Sequence, residues 1–247
     1  MSTDRVPPPI SSKAWQRQQL EKQAWEDQRL SLADIRSCRV EAVPRDEAKV
    51  FILRYEWLGT MGRSRATYGL RAPDGELIGA AVFGWPASPE SRDICGRQHR
   101  DRAVCLERGA CAPHAPLNAA SFLISRATAM AAADHGWSIF YAYADPEAGE
   151  IGTVYQACNW LYLGQGIGRD GKHRLRQDWM IPEENNKVIA SRSLRHRGVT
   201  INQAKERGWI PVYKHPKHKY CTFEGPRAQR RGLLRDLRYP VQPYPKR

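Results

Sequence analysis

Between residues 39 and 182, short runs of strand character alternate with helical stretches. That alternation limits the chain to a mixed α/β sheet with helices packed on it. Residues 39–43 read as a short strand and 45–57 as a helix. Residues 66–71 and 76–84 read as strands joined at Pro73, Asp74 and Gly75, a strong hairpin signal. A polar insertion over 85–102 leads to a strand over 103–108, then an Ala-rich helix over 118–135 that starts after Pro113 and Pro116. An alternating aromatic strand over 137–143, a helix over 150–159, a strand over 160–164 and a last strand over 173–180 complete the pattern. The predicted order is β-α-β-β-β-α-β-α-β-β, within a central domain spanning 38–186.

Charge divides the chain differently. Residues 187–247 carry 16 Lys and Arg against 3 Asp and Glu, whereas residues 1–186 carry 23 of each, so the whole excess of +13 lies in the last quarter. Trp209, Tyr213, Tyr220, Phe223, Tyr239 and Tyr244 are set among those basic residues. Such a segment offers a polyanion many phosphate contacts and rings that stack on unpaired bases. The strand-like pair 210–213 and 220–223, with Leu233, Leu234 and Leu237 after the basic run 227–231, predicts a folded helix–hairpin–helix appendage over 187–247 rather than a solubilising tail. Nucleic acid is the expected partner. A membrane surface is not, because no long amphipathic apolar face accompanies the charge.

Residues 1–37 form a third part, with a Pro-rich start over 1–11 and one helix over 12–36 capped by Ser11 or Ser12. Trp15, Leu20, Trp25, Leu30 and Leu32 give that helix an imperfect apolar stripe, suited to packing on the core. With 41% hydrophobic and 26% charged residues, a sizeable core is expected and global disorder is not. No run approaches the ~18 apolar residues of a membrane span. The first residues lack an apolar signal region, so a cytoplasmic location is expected. Six cysteines include no C-x-x-C pair and read as reduced thiols. Cys95, His99, Cys105, Cys111 and His114 fall close together, but their spacing matches no compact zinc pattern, and no metal site is expected.

The predicted element order and the stretch GTVYQACNWLYLG resemble the GNAT acyl-coenzyme A transferases. Tyr155 and Trp160 stand where that family has a Tyr on its fourth helix and an aromatic opening the next strand. The resemblance implies that pantetheine pairs with the splayed end of the fourth strand, around residues 106–109. It also implies that the pyrophosphate rests on backbone N–H groups where the next helix begins, a geometry that favours anions. Here the usual glycine-rich loop is replaced by GACAPHAPLNAAS, whose prolines remove two donors.

Four pieces together resemble a narrower group, the bacteriophage Mom family of DNA-modification proteins. They are Trp57-Leu58-Gly59, LERGACAPHAPLNAASFLIS, YADPEAGEIGTVYQA and the terminal RYPVQPYPK, covering residues 40–247. The resemblance implies a phage or prophage transferase that adds a carbamoylmethyl, acyl-derived group to the exocyclic amine of adenine in double-stranded DNA. The implied donor is acetyl-coenzyme A or a related acyl-coenzyme A, and the resemblance alone raises an iron requirement.

Under that reading Asp145, at the end of the fifth strand, orients or deprotonates the attacking amine, its alternative being a turn residue before Pro146. Tyr155 protonates the leaving thiolate, the alternative being a core tyrosine. Arg108 is a coenzyme-phosphate or oxyanion contact, the alternative being a surface guanidinium. Glu107 alternates with Arg108 along the strand, so only one of the two is expected to face the site; Glu107 is the fallback base. Asn118 and Ser121 cap the following helix or touch the coenzyme phosphates. Tyr68 and Trp57 line the acceptor pocket, and Arg230, Arg231 and Arg235 hold DNA. Glu56 precedes Trp57 where relatives tend to show His-Tyr. The alternatives are an acyltransferase acting on a hypermodified pyrimidine, a tRNA base or a protein lysine, and a DNA-binding scaffold without catalysis. The sequence leaves the oligomeric state open, a homodimer included.

Overall fold

The computed structural model describes residues 34–86, 89–166 and 175–246. Most of the helix expected over 12–36 lies outside the described residues; Ile35–Ser37 form a 3-10 turn.

The chain builds the expected mixed sheet flanked by helices. Strand β1 (Arg39–Ala42) leads to helix α1 (Arg45–Tyr55), followed by β2 (Ala66–Arg71), β3 (Leu77–Gly84) and β4 (Ala103–Cys111). Helix α2 (Ala119–His135), β5 (Ile139–Ala144), the short helix α3 (Thr153–Ala157) and β6 (Leu161–Gln165) come next. The last strand of the seven-stranded sheet is β10 (His218–Phe223), and the strand order is β1-β2-β3-β4-β5-β10-β6. Only β4 and β5 run parallel; the other neighbours are antiparallel.

Local chemistry explains several boundaries. The β2–β3 turn closes as expected, with Gly75 at φ +91° and the Asp74 carboxylate accepting from the Glu76 N–H at 2.9 Å. Helix α1 stops at Tyr55, two residues before the expected end, because Glu56 is already extended at φ −86°, ψ 136°. Helix α2 ends at Gly136, whose φ of 69° turns the chain while its N–H bonds the Ala132 carbonyl. Its buried stripe of Ala119, Leu123, Ile124, Ala127 and Ala131 seats it on one sheet face. Leu123 and Ile124 contribute about 1.5–3 kcal/mol each there. Helix α3 is shorter than the 150–159 expected, since Gly149 and Gly152 adopt φ +72° and +80° and hold the preceding residues in a loop.

The largest departure concerns strand pairing. β7 (Arg176–Ile181), expected to complete the main sheet, instead forms a three-stranded sheet with β8 (Lys187–Ala190) and β9 (Ile210–Lys214), in the order β8-β7-β9. Helices α4 (Ser191–His196) and α5 (Ile201–Glu206) join β8 to β9, and Trp179, Ile181, Leu194, Ala204 and Trp209 form a separate core for this unit. A capping box between Thr200 and Gln203 starts α5. The expected hairpin of 210–213 with 220–223 is not formed: β9 pairs with β7, and β10 lies between β5 and β6. The boundary expected after residue 186 therefore falls short of a strand that the main sheet requires. Helix α6 (Arg227–Arg235) follows β10 and packs on the sheet through Leu233, with Phe223 and Tyr239 in the same cluster.

Candidate active site

Strands β4 and β5 pair only between Ala103–Leu106 and Ile139–Ala142. Beyond that point they part, and the gap widens into a cleft of about 1400 Å³. A bulge sits at the fork: Arg108 stands opposite Val82 but Leu106 opposite Phe83, leaving Glu107 as the extra residue. The bulge breaks the alternation expected of a regular strand, and both Glu107 and Arg108 line the cleft.

Arg108 is tied to the segment after α1. Its Nε donates to the Thr60 carbonyl at 2.7 Å and its Nη2 to the Thr60 hydroxyl at 2.8 Å, while Glu56 lies 3.7 Å away. These bonds occupy the guanidinium that was expected to meet a coenzyme phosphate. Glu56 is 6% exposed and accepts the Leu58 N–H at 2.8 Å. Burial outweighs both Arg108 and that hydrogen bond, pushing its carboxyl up to about 7. Glu56 is the functional candidate that sequence reasoning passed over. Glu150 reaches solvent from a concave stretch of wall; this enclosure raises its carboxyl, partly offset by the Asp145 N–H.

Asp145 follows β5 and lines the cleft although it is largely buried, with its carboxylate 3.0 Å from Lys217 Nζ and 3.2 Å from Arg176 Nη1. Its carbonyl accepts the Ala148 and Glu150 N–H groups, which shapes the turn leading to α3. Arg176 also approaches Asp178, and Lys214 pairs with Asp178 at 3.0 Å, so the chain of charges links the two sheets. Among the described residues Asp145 thus holds Lys217 and Arg176, and Lys217 lines the cleft with it.

Tyr155 lines the cleft from α3. Its ring lies 5.3 Å from Trp160 and 5.2 Å from Tyr220 by centroid, and its hydroxyl makes no hydrogen bond among the described residues. Burial, reinforced by Glu150, holds the phenol well above its ordinary range, so it is a proton donor at neutral pH. The loop before α3 is pinned on β10: the Tyr220 hydroxyl donates to the Ile151 carbonyl and accepts from Gln156 Nε2 at 3.2 Å. Gly152 is required here, since a Cβ would come within 2.3 Å of the Tyr220 ring.

Trp57 lines the cleft as expected, with Lys217 Nζ 5.7 Å from its ring centroid. Tyr68 does not. It is buried at 1% exposure, and its hydroxyl donates to Asp134 at 2.8 Å, in the core under α2. Asn118 stands at the start of α2 with φ 64° and makes no side-chain cap, while the Ser121 hydroxyl donates to the Asn118 carbonyl at 3.0 Å. Both line a groove of about 480 Å³ formed by residues 111–113 and 115–121 with Thr153, Val154 and Ala157. The groove shares Cys111, Ala120, Thr153 and Val154 with the cleft. Arg230, Arg231 and Arg235 are exposed on α6, outside the cleft.

Among the described residues no three metal-ligating side chains gather. Cys95 and Cys105 are buried in the core beneath α6, Cys111 packs on the core under α2, His99 pairs with Asp236 and His114 with Glu76. No helix of the described residues is long and apolar enough to cross a membrane.

Comparison with known proteins agrees with the resemblance of the motifs. The methylcarbamoylase Mom of Escherichia phage Mu is 31% identical over 105 residues, which cover 42% of this chain and 40% of that protein. Among solved structures, an IAA acetyltransferase from Bacillus cereus is similar at 11% identity and a TM-score of 0.42, covering 76% of this chain and 99% of its own. A spermidine N-acetyltransferase from Vibrio cholerae gives 10% identity and 0.42, covering 76% and 94%. The model of the Mom protein family matches residues 37–246. The chain belongs to the Mom protein family.

Proposed function

We propose that this protein transfers an acyl group from an acyl-coenzyme A, such as acetyl-coenzyme A, to the exocyclic amine of adenine in double-stranded DNA, the new N–C bond forming at the acyl carbon as the C–S bond breaks. One observation carries the reading. A buried carboxyl near 7, Glu56, and an unpartnered phenol, Tyr155, face one cleft where a strand edge has lost its neighbour.

The residues present fit a coenzyme of this kind. Past Leu106 the edge of β4 facing β5 has no strand partner among the described residues, which suits the amide groups of a pantetheine arm. The adjoining groove lies at the first turn of α2, whose leading N–H groups have no acceptor within the helix. Asn118 and Ser121 add side-chain polar atoms at that end. When bound, the coenzyme supplies an activated acyl carbon and a sulfur leaving group.

The chain's own groups then divide the proton work. Adenine's exocyclic amine is weakly basic, so orientation and charge stabilisation matter more than bulk deprotonation. Glu56 as carboxylate accepts the amine proton at its Oε atoms, a role suited to a group poised near neutrality. Tyr155 holds a proton at its Oη for the departing sulfur and regains one from solvent. Asp145 acts one step back by fixing Lys217 in the cleft wall. A base in a duplex must leave the stack to reach such a cleft, and Trp57 offers the extruded base a ring on which to lie. The exposed Arg230, Arg231 and Arg235 supply duplex phosphate contacts.

Nucleoside mass spectrometry on DNA from cells expressing the wild type or Tyr155→Phe tests this reading. A new adenosine-derived species, lost in the variant, is expected, and its mass identifies the group. Modification of a different nucleoside would change the acceptor. Unmodified DNA, with acyl-coenzyme A failing to raise the melting temperature, would overturn the transferase reading.

A further inference from the structure

The cleft wall carries positive charge that its own carboxylates do not use. Lys217 is paired with Asp145, and Arg108 is held by Thr60 beside Glu56. Arg63, Arg195 and Lys219 also line the cleft, and none of the three side chains has an ion pair or hydrogen bond among the described residues. They come from separate parts of the chain: the loop before β2, the end of α4 in the small unit, and β10. Lys219 is steered by rings alone, its Nζ 3.9 Å from the centroid of Tyr239 and 5.6 Å from that of Tyr143.

Helix α6 contributes nothing to this wall. The chain leaves β10 for α6 at Phe223, which stands opposite Ile139 at the start of β5, whereas the cleft opens at the other end, by Ala144 and His218. The arginines of α6 therefore serve a different surface from the one a reacting nucleotide would enter.

We propose that Arg63, Arg195 and Lys219 form a phosphate clamp on the cleft wall, gripping the backbone of the strand whose base enters the cleft. The inference rests on the nucleic-acid reading above and adds which groups hold the target strand. A nucleotide drawn into a cleft brings its own and its flanking phosphates to the rim. Three cations without carboxylate partners suit that load: two guanidiniums present forked donors, and the ammonium adds a point charge. The small three-stranded unit thereby gains a task, since α4 carries Arg195 to the wall of a cleft built by the main sheet.

Fluorescence anisotropy across a salt series, with a short labelled deoxyadenosine oligonucleotide and a labelled duplex, tests the clamp. In the triple variant Arg63→Ala, Arg195→Ala, Lys219→Ala, oligonucleotide affinity should fall roughly tenfold or more, and its salt slope should flatten by about 0.7 per lost contact. An unchanged melting temperature verifies that the variant is folded; otherwise Arg195→Gln alone is compared and should flatten the slope by about 0.7. Unchanged affinity and slope in a folded variant overturn the clamp. Wild-type protein that binds the duplex but not the oligonucleotide overturns the clamp and leaves the DNA reading standing. Wild-type protein that binds neither overturns both.

Discussion

The Glu56 carboxylate lies 3.7 Å from the Arg108 guanidinium, yet the arginine spends its directed hydrogen bonds on Thr60 and the Glu107 carbonyl. Glu56 is left with an attractive neighbour but incomplete neutralisation, in a place where water is scarce. Glu56→Gln is expected to slow transfer by roughly 10²–10⁴-fold. The wild-type rate should rise with pH and level off above about 7. A pH–rate profile of the residual activity in the variant should lack that limb.

The same group makes a stability prediction of defined sign. Its folded-state value, about 7, is above the ordinary 4.5, so the folded state keeps the proton longer. The stabilisation is complete below 4.5 and is lost as pH rises through about 7. The total is about 3 kcal/mol. Urea titrations on either side of that window should show the decline in wild type and its absence in Glu56→Gln.

Tyr155→Phe should cost roughly 10²–10⁴-fold in turnover while shifting stability by less than about 1 kcal/mol. The ring contacts with Trp160 and Tyr220 survive the change, and the lost hydroxyl leaves no bonded partner behind. Single-turnover kinetics beside thermal melts separate the two effects. Equal turnover in both proteins would remove the phenol from the chemistry.

Asp145→Ala strips the shared anion from Lys217 and Arg176. The cost should be roughly 2 kcal/mol, below the ~3–5 of fully buried pairs because both cations keep contact with water. Activity should fall as well, through Lys217. Denaturant unfolding measures the first, and comparison with Lys217→Ala in a double-mutant cycle measures the second.

Arg230→Ala, Arg231→Ala and Arg235→Ala together should weaken duplex binding and flatten its salt slope by up to ~0.9 per lost phosphate contact. These side chains are exposed on α6, so stability should stay within about 0.5 kcal/mol of wild type. An unchanged slope would mean that the duplex lies elsewhere.

Much of the main sheet was legible because its signals are local: the turn at Asp74 and Gly75, the apolar stripe of α2, and the alternation along β5. Pairing across long separations was not. Nothing in residues 218–223 says that their partners are Ile139–Ala144 rather than the neighbouring β9. The bulge at Glu107 likewise has no local signature, and it is what puts two successive side chains on the cleft wall. Tyr68 was misassigned because its position on β2 does not reveal Asp134, which claims its hydroxyl from α2. Glu56 was given no role for a related reason: nothing local shows that the segment through Thr60 folds back against β4 and buries it.

The place of β10 also sets a timetable. Synthesis delivers β5 and β6 well before the strand that joins them, and at roughly 5–20 residues per second the wait lasts seconds. Throughout it, the two strands that will flank β10 present open hydrogen-bonding edges to whatever else is nearby, the circumstance in which chains pair wrongly with one another. A nascent chain of this protein is thus most exposed to misassembly late in its making. A stop before His218 would leave a sheet with a missing stave rather than a shortened tail.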